Sequence, residues 1–171
     1  TDRLSLCYLG LLSRPEHRQR DQDMIGNREI GEKQRSIYWA LFESNKKKLP
    51  KSVTTLIQKV STLNSKIEVG FRRRNLLALL TKYFVDMQQV FEGIKTVLRP
   101  GSPAYVVIGN NHTIAGGERV EIETANLLVD IATDVGLKPE GRIPMDMLVS
   151  RDIFKKNAVA SEEILCFSAP S

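Results

Sequence analysis

Cysteine and histidine are scarce in this chain, two of each in 171 residues. Cys7 and Cys166 stand at opposite ends, and His17 and His112 lack cysteine or carboxylate companions at ligand spacing, so no metal site is expected. No Ser-His-Asp or Cys-His arrangement stands out, which leaves hydrolytic chemistry without support. No apolar run approaches the length of a bilayer span, so no membrane partner is expected. The opening TDRLSLCYLG has no basic stretch followed by a long apolar one, so no signal peptide is expected. The two cysteines are accordingly expected to be reduced, buried and inert, as suits a cytoplasmic protein. There is no internal repeat and no low-complexity tract. A first residue Thr, with no Met before it, gives the chain the look of a piece excised from a longer polypeptide.

What is present supports one domain, or one with a small appendage. Apolar residues make up 42% of the chain, enough for a real core. Charge is unevenly placed. Residues 1–75 hold 16 Lys/Arg against 8 Asp/Glu, and residues 76–171 hold 9 against 12. A basic segment beside a near-neutral one points to a polyanionic partner for the first, nucleic acid being the usual one; a solvated helical face is the alternative.

The most informative stretch is 83–111, YFVDMQQVFEGIKTVLRPGSPAYVVIGNN. Tyr83, Met87, Val90, Phe91, Ile94 and Val97 recur at three- and four-residue steps, which predicts a helix with one apolar face. Pro100 cannot continue a helix and Gly101 can adopt positive φ, so the chain turns there. Residues 104–108 are short, apolar and β-branched, as in a strand covered on both faces. Gly109-Asn110-Asn111 follows at its carboxyl end, where open α/β sheets place their ligands.

Elsewhere the pattern predicts a short buried helix over 4–12, and loop with helical turns over 17–35. A helix is expected over 36–43, with Trp39, Tyr38 and Phe42 in the core, then an exposed bend at Lys46-Lys47-Lys48. Another is expected over 52–65, capped by Ser52. After the 104–108 strand, a loop is expected over 110–117 and a helix from about Glu118. Its stripe would be Ile122, Ala125, Val129, Ala132 and Val135, ending at Gly136. A twisted strand within 137–148, a basic loop over 150–160 and a final strand over 163–168 complete the order. The class is α/β, with parallel strands joined by right-handed crossovers and an antiparallel last pair.

In this order the residues resemble the carboxyl-terminal half of the catalytic domain of DNA amino-methyltransferases. The match runs through the long helix, Leu98-Arg99-Pro100-Gly101, the strand ending in Gly109-Asn110, the helix ending in Gly136, the basic loop and Glu162-Glu163-Ile164-Leu165-Cys166-Phe167. It covers residues 76–171. Residues 1–10 also resemble the segment directly after the family's catalytic Asp/Ser-Pro-Pro-Tyr motif, and Met24-Ile25-Gly26-Asn27-Arg28 is similar to a block of one bacterial subgroup. The resemblance implies a partial Rossmann-like methyltransferase sheet with an antiparallel last strand, preceded by a basic, mainly helical, DNA-facing insert over 1–75. It also implies an enzyme that binds S-adenosylmethionine and double-stranded DNA, flips a base and methylates the exocyclic amino group of adenine or cytosine. Its setting would be a bacterial cytoplasm, at the nucleoid.

Two departures qualify that implication. No Gly-x-Gly occurs, so the family's cofactor loop is absent, and no Pro-Pro pair occurs, so the catalytic tetrapeptide is absent too. The chain alone is therefore expected to be inactive, with the tetrapeptide just before Thr1. The remainder of the methyltransferase domain would bring the cofactor loop.

By resemblance, Asp2 and Arg3 lie past the catalytic motif, and Asn110, Asn111 and His112 border the base pocket. Arg151 and Phe154 sit in the loop that holds an extruded base, where flipping needs an aromatic surface and cations. Lys155, Lys156 and the run Arg72, Arg73 and Arg74 are candidates for phosphates. Each has a plainer alternative: a helix-start Asp, loop-capping asparagines, a solvated hairpin, a solvent-facing charge run. Rival readings are an RNA or small-molecule methyltransferase and a non-catalytic nucleic-acid-binding module.

Overall fold

The computed structural model describes residues 3–11, 13, 16–26, 30–68, 70–146 and 161–170. The first part is helical: α1 (Arg3–Tyr8), α2 (Glu16–Asp23), α3 (Glu32–Asn45), α4 (Lys51–Ser65) and the short α5 (Phe71–Arg74). The long α6 (Leu76–Val97) follows, then β1 (Pro103–Gly109), β2 (Asn111–Ala115), β3 (Glu118–Ile122), α7 (Thr124–Val135), β4 (Lys138–Asp146) and β5 (Ser161–Ser168).

The main sheet has the order β1–β5–β4, and β5 is antiparallel to both neighbours. Hence β1 and β4 run parallel to each other, joined through α7, with the last strand inserted between them. The antiparallel last strand expected from the sequence is present. Adjacent parallel pairing is not what it forms, because β5 occupies the position between the two parallel strands.

Helix α6 stops where the sequence stops it. Leu98 is already extended, and Gly101 takes φ +72 in the turn before β1. Helix α7 closes on Gly136 at φ +99, whose N–H reaches the carbonyls of Ala132 and Thr133, a left-handed cap. The interior formed between these elements is continuous. Phe42, Val53, Ile57 and Val60 of α3 and α4 join Leu77, Phe84 and Phe91 of α6, Leu128 and Ile131 of α7, and Leu165 and Phe167 of β5. Phe91 meets Phe167 edge-on, ring centroids 5.5 Å apart, and so locks α6 against the sheet. Polar ties add to this: the Asn75 amide donates to Ile30 O at 2.7 Å, and Lys82 pairs with Asp86 while donating to Met24 O.

Several expectations are corrected. The 110–117 loop and the first residues of the helix expected from Glu118 are instead the hairpin β2–β3, and the helix itself, α7, begins at Thr124. Gly116 and Gly117 both take positive φ (58° and 86°), the two-residue turn that suits hairpin twist. Thr113, Ala115, Val120 and Ile122 share one side of the hairpin, at a strand period, with Thr113 directly opposite Val120. Strand β1 is covered on one face only: Ala104, Val106 and Ile108 are half-buried while Tyr105 and Val107 are exposed.

The amino-terminal helix is not buried, since Tyr8, Leu9 and Leu11 are exposed. The apolar face of α6 is richer towards its start than the 83–97 stripe implies. Leu77, Leu80 and Phe84 are buried, whereas Val97 is exposed. Ser52 is not the cap of α4; Pro50 holds that position and the Ser52 hydroxyl donates to Asp130 at 2.5 Å. Trp39 is exposed beside a fully buried Phe42. Both cysteines are half-buried rather than buried.

Candidate functional site

The carboxyl ends of β1 and β4 and the start of β5 lie in one row. Gly109 stands opposite Glu162, Glu162 opposite Met145, and Asp146 opposite Ser161. Neighbouring strands are about 4.8 Å apart, so Gly109 and the two strand ends that bound residues 147–160 fall within about 10 Å. The side chains that sequence reasoning assigns to the base-holding loop, Arg151, Phe154, Lys155 and Lys156, lie outside the described residues, as does Asp2. The backbone of Arg3 opens α1 and that of Arg72 belongs to α5, but their side chains fall outside the description.

Asn110 bridges three elements. Its Oδ1 accepts the N–H of Ala125, in the first turn of α7, at 3.0 Å. Its Nδ2 donates to Glu163 Oε1 at 3.3 Å, and the other oxygen of Glu163 lies 3.6 Å from the Arg142 guanidinium on β4. One exposed amide therefore supplies an acceptor for a helix start and ties β1 to β5, while Glu163 carries the link on to β4. This is the loop-capping role expected as the alternative to substrate contact. Arg142 had no sequence signal of its own, and Glu163 entered only as part of the final strand's run. Their place in the chain of bonds depends on the register of β5, which is set by strand pairing across more than fifty residues.

Asn111 and His112 open β2. The Asn111 side-chain oxygen accepts the His112 N–H at 2.8 Å, and both side chains are exposed. His112 faces Glu121 across the hairpin. The Glu121 carboxyl is held below its ordinary range chiefly by a hydrogen bond from Arg119, with smaller contributions from the charges of Arg119 and His112. The three residues assigned to the pocket border are thus together at the end of β1. Asn110 is committed to bracing, and His112 is part of a charged hairpin face.

The arginine run lies elsewhere, on the corner between α4 and α5. Arg73 and Arg74 are exposed there. The tip of the hairpin reaches that corner: Gly116 N–H donates to Asn64 Oδ1 at 2.9 Å, and Asn64 Nδ2 donates to Arg73 O at 3.0 Å. The hairpin, about 14 Å long at 3.4 Å per residue, therefore runs from the sheet end to the basic corner. Asn64, which makes the junction, carried no sequence signal.

A larger cleft between α6 and α7, lined in part by Lys48, Gln88, Glu92, Lys95 and Asp134, lies at the carboxyl end of α7. Its opposite charges and its Lys95–Val135 hydrogen bond of 2.8 Å suit an ordinary interhelical groove. Among the described residues no group of three or more His, Cys, Asp or Glu is placed to hold a metal ion, and no helix is long and apolar enough to cross a membrane.

No protein-family model matches the chain, and no curated protein sequence matches it. Two crystal structures of a protein from Thermus thermophilus, described as a DNA modification methylase, are similar in fold. One is its selenomethionine derivative (TM-score 0.41) and the other its complex with S-adenosyl-L-methionine (0.43), each at 15% sequence identity. Each likeness covers 52% of this chain and 37% or 38% of the solved one, so the chain spans little more than a third of the length of those proteins.

Proposed function

We propose that the chain is the substrate-side part of a DNA methyltransferase that acts, with S-adenosylmethionine, on an exocyclic amino group of adenine or cytosine. The observation that carries this reading is the strand order. The last strand runs antiparallel between two mutually parallel strands, and the segment after β1 and both ends of the β4–β5 connection stand at one end of the sheet. Of that arrangement, the resemblance of residues 76–171 implied the antiparallel last strand.

The described residues offer the cofactor no glycine-rich seat. There is no Gly-x-Gly turn to let backbone approach it, and Asn110 at the β1 end uses both ends of its amide on Ala125 and Glu163. The cofactor loop and the Pro-Pro-Tyr motif come from the remainder of the domain. In this division of labour Asn110, Glu163 and Arg142 set the floor on which residues 147–160 are mounted, Arg151 and Phe154 hold the flipped base, and the basic segment 1–75 faces the duplex. Lys155 and Lys156 contact flanking phosphates.

The second reading is a non-catalytic nucleic-acid-binding module. It is favoured by the same engagement of Asn110, which spends one N–H and one lone pair of the amide on bracing. Methyl transfer by the complete enzyme, offered duplex DNA, structured RNA and free metabolites, separates the readings. Label on an amino nitrogen of duplex DNA supports the first. Label only in RNA or metabolites replaces the substrate, and duplex binding with no transfer to anything supports the module.

A further inference from the structure

We infer that the corner between α4 and α5 is a phosphate seat, formed by Arg73 and Arg74 over a depression that Ser61, Asn64, Ser65 and Leu77 also line. Nucleic acid as the source of the phosphate rests on the reading above; the chemistry of the seat does not.

Three observations combine. The first is fixation of the arginine backbone. Both N–H groups donate to Gly70 O, at 3.0 and 3.2 Å, and Arg73 O accepts from Asn64. Asn64 in turn holds the hairpin tip through Gly116, so α4, α5 and the β2–β3 turn meet at the backbone of the arginine pair. Ordering of this kind lowers the entropy lost when a ligand is gripped.

The second is charge. Among the described residues the ion pairs engage Arg35, Lys46, Lys82, Arg119, Lys138 and Arg142, and none engages Arg73 or Arg74. Two adjacent guanidinia without a carboxylate are free to take an anion, and their forked donors match the oxygens of a phosphate. The third is the lining. The Ser61 hydroxyl makes no hydrogen bond within the described residues and is available as a further donor.

A purely structural role competes. The last carbonyls of α4 lie close by, and cations are favoured at a helix carboxyl end. That role would show as lost stability with unchanged binding, which makes it separable.

The test uses the full chain, a fluorescent duplex of mixed sequence and inorganic phosphate. Duplex affinity is followed by anisotropy over a range of salt, for the wild type, R73Q/R74Q and K46Q/K47Q/K48Q. Inorganic phosphate is titrated separately while backbone amide resonances are recorded. The seat predicts that R73Q/R74Q lowers the slope of log affinity against log salt by about 2, for two phosphate contacts at about 0.9 each. The lysine variant should keep the wild-type contribution of this corner. Inorganic phosphate should shift the amides of Ser61, Asn64, Arg73 and Arg74.

Phosphate shifts without duplex binding would support the seat, assign it to a small phosphorylated ligand and contradict the DNA reading. Duplex binding with an unchanged slope in R73Q/R74Q, and no phosphate shifts at the corner, would overturn the seat and leave the DNA reading standing. Absence of both kinds of binding in the wild type would overturn both.

Discussion

On one face of the sheet Leu165 and Phe167 are fully buried beneath α6 and α7. On the other, one residue further along the strands, Tyr105 is 64% exposed, Val107 54% and Ile143 51%. Register makes these true opposite faces. Ala104 and Val106 lie across from Phe167 and Leu165, while Val107, Ile164 and Ile143 line up across all three strands. Both faces are apolar, yet only one is covered. In addition, the edge of β1 away from β5 has no strand partner among the described residues. Every pairing in this sheet is antiparallel, an arrangement that commonly leaves one face to solvent, but such a face is ordinarily polar, and an apolar exposed edge is an association hazard. In the reading proposed above, the remainder of the methyltransferase domain meets that bare face and free edge.

The sharpest way to break that comparison is to truncate one residue on each face. Phe167→Ala removes a fully buried ring packed on Phe91 and is expected to cost about 3–5 kcal/mol, read from urea unfolding of the chain. Val107→Ala on the bare face should stay within about 0.5 kcal/mol. Equal losses would mean that the bare face is covered in solution.

A smaller effect probes the hairpin that links sheet end to basic corner. A Cβ on Gly116, at φ +58, would lie 2.6 Å from the backbone oxygen of Leu63, whereas one on Gly117 meets open space. Gly116→Ala is therefore expected to cost about 2 kcal/mol and Gly117→Ala about 1, the strain of positive φ alone accounting for the latter. Thermal unfolding of the two variants in parallel gives the difference. A larger loss for Gly117→Ala would contradict the docking of the hairpin on α4.

Next in size is the bracing of the sheet end. Asn110→Ala deprives the first turn of α7 of its acceptor and should cost about 1 kcal/mol, as loss of a helix cap does. Asn111→Ala, which removes only a bond to the next residue, should stay within about 0.5 kcal/mol. Indistinguishable chemical denaturation curves for the pair would remove the bracing role.

The smallest effect is a pH dependence at the open edge of β4. The Glu140 carboxyl is held below its ordinary range, first by the Ser168 hydroxyl and then by Lys138. A folded-state pKa below the unfolded one stabilises above the unfolded value and is lost as pH falls through the folded one. Because the group is fully exposed the gain is slight. Glu140→Gln should lower the urea midpoint a little at neutral pH, and the difference should vanish in acid. A difference that grows in acid would reverse the sign assigned here.

How far the sequence could be read follows the range of the interactions involved. The end of α6, the turn at Gly101, the strand β1 and the cap at Gly136 were legible because each depends on neighbours within a few residues. The hairpin was misread, although Gly116-Gly117 between Thr113/Ala115 and Val120/Ile122 carried a turn and two short alternations; five residues per strand is too short to stand out. Coverage of β1 could not be read at all. The unbroken apolar run states what the strand tolerates, and only its neighbours decide which face they fill. At the site, the position of Asn110 beyond a strand was legible, but its partners Ala125 and Glu163 are brought to it by α7 and by the pairing of β5. The arginine run was visible, whereas Ser61 and Asn64 reach it through the turn that returns α5 to α4.

The claim that this sheet is one part of a larger methyltransferase sheet is tested most directly by hydrogen exchange of the β1 amides that point away from β5. They would be measured in this chain alone and again in the complete enzyme. The account predicts rapid exchange at those amides in the isolated chain and strong protection in the complete enzyme, alongside unchanged protection of β5. Equal exchange in the two samples would contradict it.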